Sequence, residues 1–150
     1  KTKIIADYLS KFGVPSIVSE NIWRDLWFKL MVNSVINPLT AIMRIKNEDL
    51  LKIPSIDTLI RNILSETISV AKFYGYEFDL DECYEKIIKI IKDTGNNKSS
   101  MLQDIENNRK TEIDNLNGMI VLLASKHGLE ARLNNALTVI LKGMERFAKQ

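Results

Sequence analysis

Apolar residues recur at three- and four-residue intervals along almost the whole chain, the spacing that puts them on one side of an α-helix. From Lys1 to Phe12 the apolar face is Ile4, Ile5, Tyr8, Leu9 and Phe12, and Gly13 and Pro15 stop it. Val14–Ser19 is the one β-leaning segment, and an isolated strand is not stable without a pairing partner. A long helix is predicted from Glu20 or Asn21 to about Arg44. Pro38 lies inside it, removing a backbone donor and disfavouring the helical conformation at Asn37, so a kink is expected there. Asn47–Lys52 predicts a short helical turn. Pro54 opens a helix whose stripe (Ile56, Leu59, Ile60, Ile63, Leu64, Thr67, Ile68) ends at Gly75. Asp79 with Glu82 caps a helix carrying Tyr84, Ile87, Ile88 and Ile91 and ending near Gly95. After the turn Gly95–Lys98, Ser99 or Ser100 caps the next helix, with Gln103 completing a capping box after Ser100. Asn107-Asn108 marks a break, a helix is expected from about Thr111 to His127 with Gly128 just past its end, and a last helix covers Arg132–Ala148.

The most informative stretch is Leu26–Ile36, where Lys29 is the one charge. Surface helices carry a broad charged face, so this segment is expected to be central and buried. Lys29, Asn33 and Asn37 nevertheless recur every four residues, along one face over about 12 Å. Buried amides and an ammonium are costly without hydrogen-bonding partners. Two readings stand: a structural polar network with Lys29 snorkelling to water, or a site whose ligand supplies the partners. A second constellation, Ser99–Asp104 followed by Thr111–Asp114, reads by itself as helix capping by Ser100 with Gln103 and by Thr111 with Asp114.

Composition narrows the chemistry. The 150 residues are 45% apolar and 27% charged, which fits one globular domain with a real core. A net charge of +2 gives no nucleic-acid footprint. No run approaches the roughly 20 uninterrupted apolar residues of a membrane span, and Lys1-Thr2-Lys3 does not open a signal peptide. Cys83 is the sole cysteine and His127 the sole histidine, so an internal disulfide and a Cys- or His-rich metal site are both excluded. A reducing, cytoplasmic location is the expectation. Lys86, Lys89 and Lys92 read as the solvated face of a packed helix, His127 as a helix-end residue, and Trp23 and Trp27 as core or interdomain packing.

Trp27–Asn33 followed by Ile36-Asn37-Pro38-Leu39-Thr40-Ala41 resembles the hallmark segment of the ketopantoate reductase (2-dehydropantoate 2-reductase) family. Ser99–Asp104 and Thr111–Asp114, with Asn117-Gly118 after them, resemble its second hallmark. The likeness runs from about Asn21 to Gly128 and more loosely to the end. It implies an all-α helical bundle of the 6-phosphogluconate dehydrogenase C-terminal-like type over residues 20–150. Residues 1–19 would then be the last helix and strand of an N-terminal Rossmann domain. It also implies NADPH-dependent reduction of ketopantoate to pantoate, in pantothenate and coenzyme A biosynthesis. NADPH would be held mainly by the Rossmann domain, because no G-x-G-x-x-G follows a strand in this chain, and the chain alone is expected to be inactive.

By the same resemblance Lys29 falls at the catalytic lysine. Hydride attack on a ketone builds negative charge on the carbonyl oxygen, and an ammonium in apolar surroundings stabilises that charge and supplies the proton. Asn33, Asn37 and Asn47 match substrate-binding asparagines, and Ser100 a serine that holds the substrate. Glu112 matches a glutamate near the substrate and the nicotinamide ribose, placed to pair with Lys29. Amides and a hydroxyl suit a ligand carrying a carboxylate, a keto oxygen and a hydroxyl. The family's usual proline after Gly128 is absent from Leu129–Arg132, Asn115 stands where an aromatic is common, and Asn107-Asn108 replaces a segment that often holds a basic residue or glycine. These departures bear on which 2-keto acid is the substrate. The alternative of another class is a non-catalytic helical dimerisation module that keeps the motifs as packing. An apolar face toward a Rossmann domain would also favour a homodimer through the helical domain.

Overall fold

The computed structural model describes Lys11 and residues 18–147. The first predicted helix, most of the β-leaning segment and the Rossmann remnant assigned to residues 1–19 lie outside these residues. Val18 and Ser19 belong to no regular element.

The described residues are all-α, as expected: six helices, α1 (Ile22–Met43), α2 (Ile56–Phe73), α3 (Leu80–Asp93), α4 (Ser100–Glu106), α5 (Asn117–Ser125) and α6 (Arg132–Phe147). Short 3-10 turns occupy Asn47–Lys52 and Ile113–Asn115. Local chemistry sets most boundaries. The Asn21 side chain accepts from the Arg24 N–H at the start of α1, and Asp79 does the same for Glu82 at the start of α3. α2 ends at Gly75, whose φ of +81° suits glycine. The Gly75 and Tyr76 N–H groups close onto the carbonyls of Lys72 and Ala71, which satisfies the last turn. Gly128, at φ +68°, plays the same part after α5.

The expected helix Thr111–His127 is two elements. At Leu116 (φ −102°, ψ −95°) the backbone leaves the helical region between the 3-10 turn and α5. Thr111 does not cap a helix with Asp114. Its backbone N–H and its hydroxyl both donate to Glu145 Oε1 on α6, at 2.7 and 2.5 Å. A long-range carboxylate has taken the role assigned to a local one.

α1 is the central element, with α2, α4 and α6 packed against it. Only its second half is enclosed. Met31 and Ser34–Ala41 are buried, whereas Leu26 and Lys29 are exposed and Trp27 and Phe28 half-buried, so the expectation that Leu26–Ile36 is buried throughout is corrected for its first half. By length and apolarity α1 would also pass as a membrane span, yet half of that window is buried inside the protein, as in a core helix. One apolar cluster joins α1, α2 and α3 through Val35, Leu39, Ile60, Leu64, Ile87 and Ile91. Each of these side chains contributes about 1.5–3 kcal/mol by leaving water.

Pro38 has a visible consequence. α1 runs on through it to Met43, but Pro38 has no N–H to offer the Ser34 carbonyl one turn back. Asn117 fills the gap. Its Nδ2 donates to Ser34 O at 2.9 Å and to Asn134 Oδ1 at 3.0 Å. Asn134 Nδ2 donates to Glu66 Oε2 at 2.8 Å, and the Glu66 carboxylate also accepts the Leu133 and Asn134 backbone N–H groups, capping α6 from α2. This chain of amides ties α1, α5, α6 and α2 together through the core.

Candidate active site

The rotation of α1 gives Lys29, Asn33 and Asn37 a common face that descends from solvent into the core. Lys29 is exposed, Asn33 is half-buried and Asn37 is 8% exposed. The expected buried ammonium is therefore corrected: α4 and α6 shield α1 only from about Met31 onward, and Lys29 lies above that level. Among the described residues, neither Asn33 nor Asn37 uses its side-chain amide in a hydrogen bond, so both are free for a ligand.

The second motif is fixed to the deep end of this line. Ser99, not Ser100, caps α4: its Oγ accepts from the Leu102 N–H at 3.1 Å. The same Oγ accepts from the Thr40 hydroxyl at 2.7 Å, bolting the start of α4 to α1 one turn beyond Asn37. Ser100, next along, keeps its hydroxyl exposed and uncommitted among the described residues. Glu112, immediately before the 3-10 turn, is also exposed, and no ion pair joins it to Lys29. The three segments nonetheless converge. Leu30, Met101 and Ile113, the chain neighbours of Lys29, Ser100 and Glu112, pack in one apolar cluster.

Asn47 stands apart from this convergence. Its Nδ2 donates to Thr94 Oγ1 at 2.9 Å and to the Thr94 carbonyl, and its backbone N–H donates to Asn97 O. It thereby ties the 3-10 turn Asn47–Lys52 to the end of α3. Its Oδ1 is buried without a partner.

Beside the polar line lies an apolar groove of about 380 Å³, lined by Trp23, Leu26, Trp27, Leu30, Tyr74, Tyr76 and Leu123. Leu26 and Leu30 flank Lys29 on α1, so the groove wall runs into the lysine's face. Trp23 and Trp27 are thus groove residues, and Trp23 is 63% exposed. No cluster of three or more metal-binding side chains occurs among the described residues. Burial pushes the Cys83 thiol above its ordinary value, which makes it a poor nucleophile. The sequence carries no glycine-rich phosphate loop for a dinucleotide.

Comparisons with known proteins bear on the family and the fold. The family described as ketopantoate reductase PanE/ApbA C terminal matches residues 21–145. The 2-dehydropantoate 2-reductase of Archaeoglobus fulgidus is 32% identical over 145 residues, covering 97% of this chain and 48% of its own length. Among solved structures, a D-mandelate dehydrogenase with NADH and anilino(oxo)acetate superposes with a TM-score of 0.94 at 29% identity, covering 99% of this chain and 62% of the other. A PanE/ApbA family ketopantoate reductase from Ralstonia eutropha JMP134 superposes with a TM-score of 0.90 at 27% identity, covering 99% and 49%. The chain spans about half the length of the curated relatives it matches. With both motifs in place on the matching helical fold, the chain belongs to the ketopantoate reductase C-terminal domain family.

Proposed function

We propose that this chain is the substrate-binding and proton-donating side of an NADPH-dependent 2-dehydropantoate 2-reductase acting in the cytoplasm. Lys29 is the general acid in this reading. The observation that carries it is the face of α1 on which an exposed ammonium leads down to two amides with free hydrogen-bonding capacity.

Reduced nicotinamide, when bound, supplies hydride to the keto carbon. The Lys29 ammonium stabilises the charge that grows on the keto oxygen and delivers the proton there, which is worth about 10²- to 10⁴-fold in rate. Asn33 and Asn37 hold the carboxylate and hydroxyl through their amides, and Ser100 adds a hydroxyl from the start of α4. Glu112 orients the ribose. Asn47 supports the site only from a distance, by holding its turn to the end of α3. A nucleotide-binding domain closing over the Lys29 face would exclude water and strengthen each of these interactions.

The likeness to D-mandelate dehydrogenase favours a second substrate reading within the same chemistry, a related 2-keto acid carrying an aromatic or branched side chain. The groove of Trp23, Leu26, Trp27 and Leu30 beside Lys29 is suited to such a side chain. The test is oxidation of NADPH, and separately NADH, by the full-length protein with 2-dehydropantoate and a panel of branched and aromatic 2-keto acids. Turnover fastest on 2-dehydropantoate with NADPH is expected. No turnover on any 2-keto acid with either nucleotide would defeat the reading. We also propose that the protein forms a homodimer through this helical domain.

A further inference from the structure

The sequence contains one Asn-Gly pair, Asn117-Gly118, and it opens α5. The fold uses each residue for its own reason. Asn117 supplies an amide donor to the core, its Nδ2 reaching Ser34 O at 2.9 Å and Asn134 Oδ1 at 3.0 Å. Gly118 lies close against the preceding turn, where a Cβ would stand 3.4 Å from the Ile113 carbonyl oxygen. Packing thus sets side by side two residues that react readily with one another in an open chain. Glycine has no Cβ to shield its nitrogen from the neighbouring side-chain amide.

In an unfolded chain the Gly118 nitrogen attacks Cγ of Asn117. A bond forms between that nitrogen and Cγ, the Cγ–Nδ2 bond breaks, and Nδ2 leaves as ammonia with the proton from the Gly118 amide. Water then opens the cyclic imide at either carbonyl, leaving aspartate or isoaspartate at position 117. The net change turns an amide and a water into a carboxylic acid and ammonia, so no oxidant, reductant or enzyme is required. The folded chain blocks the first step in three ways. Asn117 is fully buried, its Nδ2 is held by two acceptors, and its backbone is helical. The α5 hydrogen bonds, starting with the Ile120 N–H onto Leu116 O at 3.2 Å, keep the Gly118 nitrogen out of the geometry for ring closure.

The product does not fit the site that the amide leaves. A carboxylate at 117 has no N–H and would face two acceptors, Ser34 O and Asn134 Oδ1. Pro38 has no N–H for Ser34, and Asn134 cannot turn its own amide nitrogen inward, because Glu66 Oε2 holds it at 2.8 Å. The dipole of α5 favours an acid at its first residue, but by less than an unpaired buried charge costs. We propose that Asn117-Gly118 is a self-modification site gated by folding. It stays intact while the chain is folded, converts to aspartate and isoaspartate once the chain opens, and then bars the return to the native fold. This inference does not rest on the reductase reading.

The test incubates the chain at mildly alkaline pH, native and in guanidinium chloride, and follows position 117 by peptide mass mapping. The unfolded chain should gain the mass of an amide turned to an acid, with isoaspartate at that position. The native chain should react at least about 100-fold more slowly, because its reaction is confined to the small open population. On removal of denaturant, the fraction that regains native circular dichroism should fall in step with modification, and the refolded material should hold unmodified Asn117. Gly118→Ala should slow the reaction in denaturant to the level of the chain's other asparagines and preserve the refolding yield. Equal rates in the native and unfolded chains would overturn the gate. Full refolding of modified chains, or a yield that falls just as fast in Gly118→Ala, would overturn the block on return. An unfolded chain left unmodified at 117 would overturn the site itself.

Discussion

Replacing Asn117 with alanine should unsettle the fold far more than its place on a short helix suggests. Asn117 is fully buried and donates two hydrogen bonds from one nitrogen, to Ser34 O and to Asn134 Oδ1. Pro38 cannot supply the donor that Ser34 would otherwise have, so truncation orphans a buried carbonyl and a buried amide oxygen together. Each buried orphan costs about 1–3 kcal/mol. Part is offset because Asn117 Oδ1 is itself unpaired in the folded chain and disappears in the variant. The net loss should be about 2–4 kcal/mol, or roughly 6–12 °C in Tm for a loss near 3 kcal/mol in a chain of this size. Urea unfolding followed by circular dichroism measures it. The mechanism has a sharper signature. Pro38→Ala restores an N–H aimed at Ser34 O, so Asn117→Ala should cost about 1–2 kcal/mol less in that background than in the wild type. A cost below about 0.5 kcal/mol for Asn117→Ala, or strictly additive effects in the double-mutant cycle, would refute the idea that Asn117 stands in for the missing proline N–H.

Two further outcomes follow from the same packing. Glu66→Ala should destabilise the chain by about 1–3 kcal/mol, since its carboxylate accepts three hydrogen bonds at the start of α6; Glu66→Gln, which keeps one acceptor oxygen, should cost less, and equal urea midpoints for the two variants would count against the cap. Cys83 should resist thiol reagents in the folded chain and react once urea unfolds it, because it is 3% exposed and its thiol is held neutral by burial. The unfolded chain then ionises first, so the stability linked to this group is intact below the thiol's ordinary value of 9.0 and is lost as pH rises beyond it; rapid labelling of the native chain would contradict this.

What the sequence made legible were features with local causes. The boundaries at Asn21, Gly75, Asp79 and Gly128 depend on residues within a turn of the helix end, and the structure has them where the caps and glycines imply. The misses share a different origin. Ile113, Leu116 and Ile120 keep a helical apolar spacing straight across the break at Leu116, so periodicity carries no sign of it. Thr111 is held by Glu145 and Asn117 reaches Ser34, partners 34 and 83 positions away that no window can pair. The burial of Lys29 was inferred from apolar neighbours, but Trp23 and Leu26 are themselves exposed. Apolar composition marks surface destined for contact; it does not say whether the contact lies within this chain. The family motifs, by contrast, pick out the face of α1 and the start of α4, which the structure holds together through Thr40 and Ser99.

The central claim is that the Lys29 ammonium does chemistry and not packing. The most direct measurement is kcat for 2-dehydropantoate reduction by full-length Lys29→Ala protein, taken beside its urea midpoint. The account predicts a fall in kcat of about 100-fold or more. Because the side chain is exposed, stability should stay within about 0.5 kcal/mol of the wild type. Unchanged turnover accompanied by a clear loss of stability would contradict it.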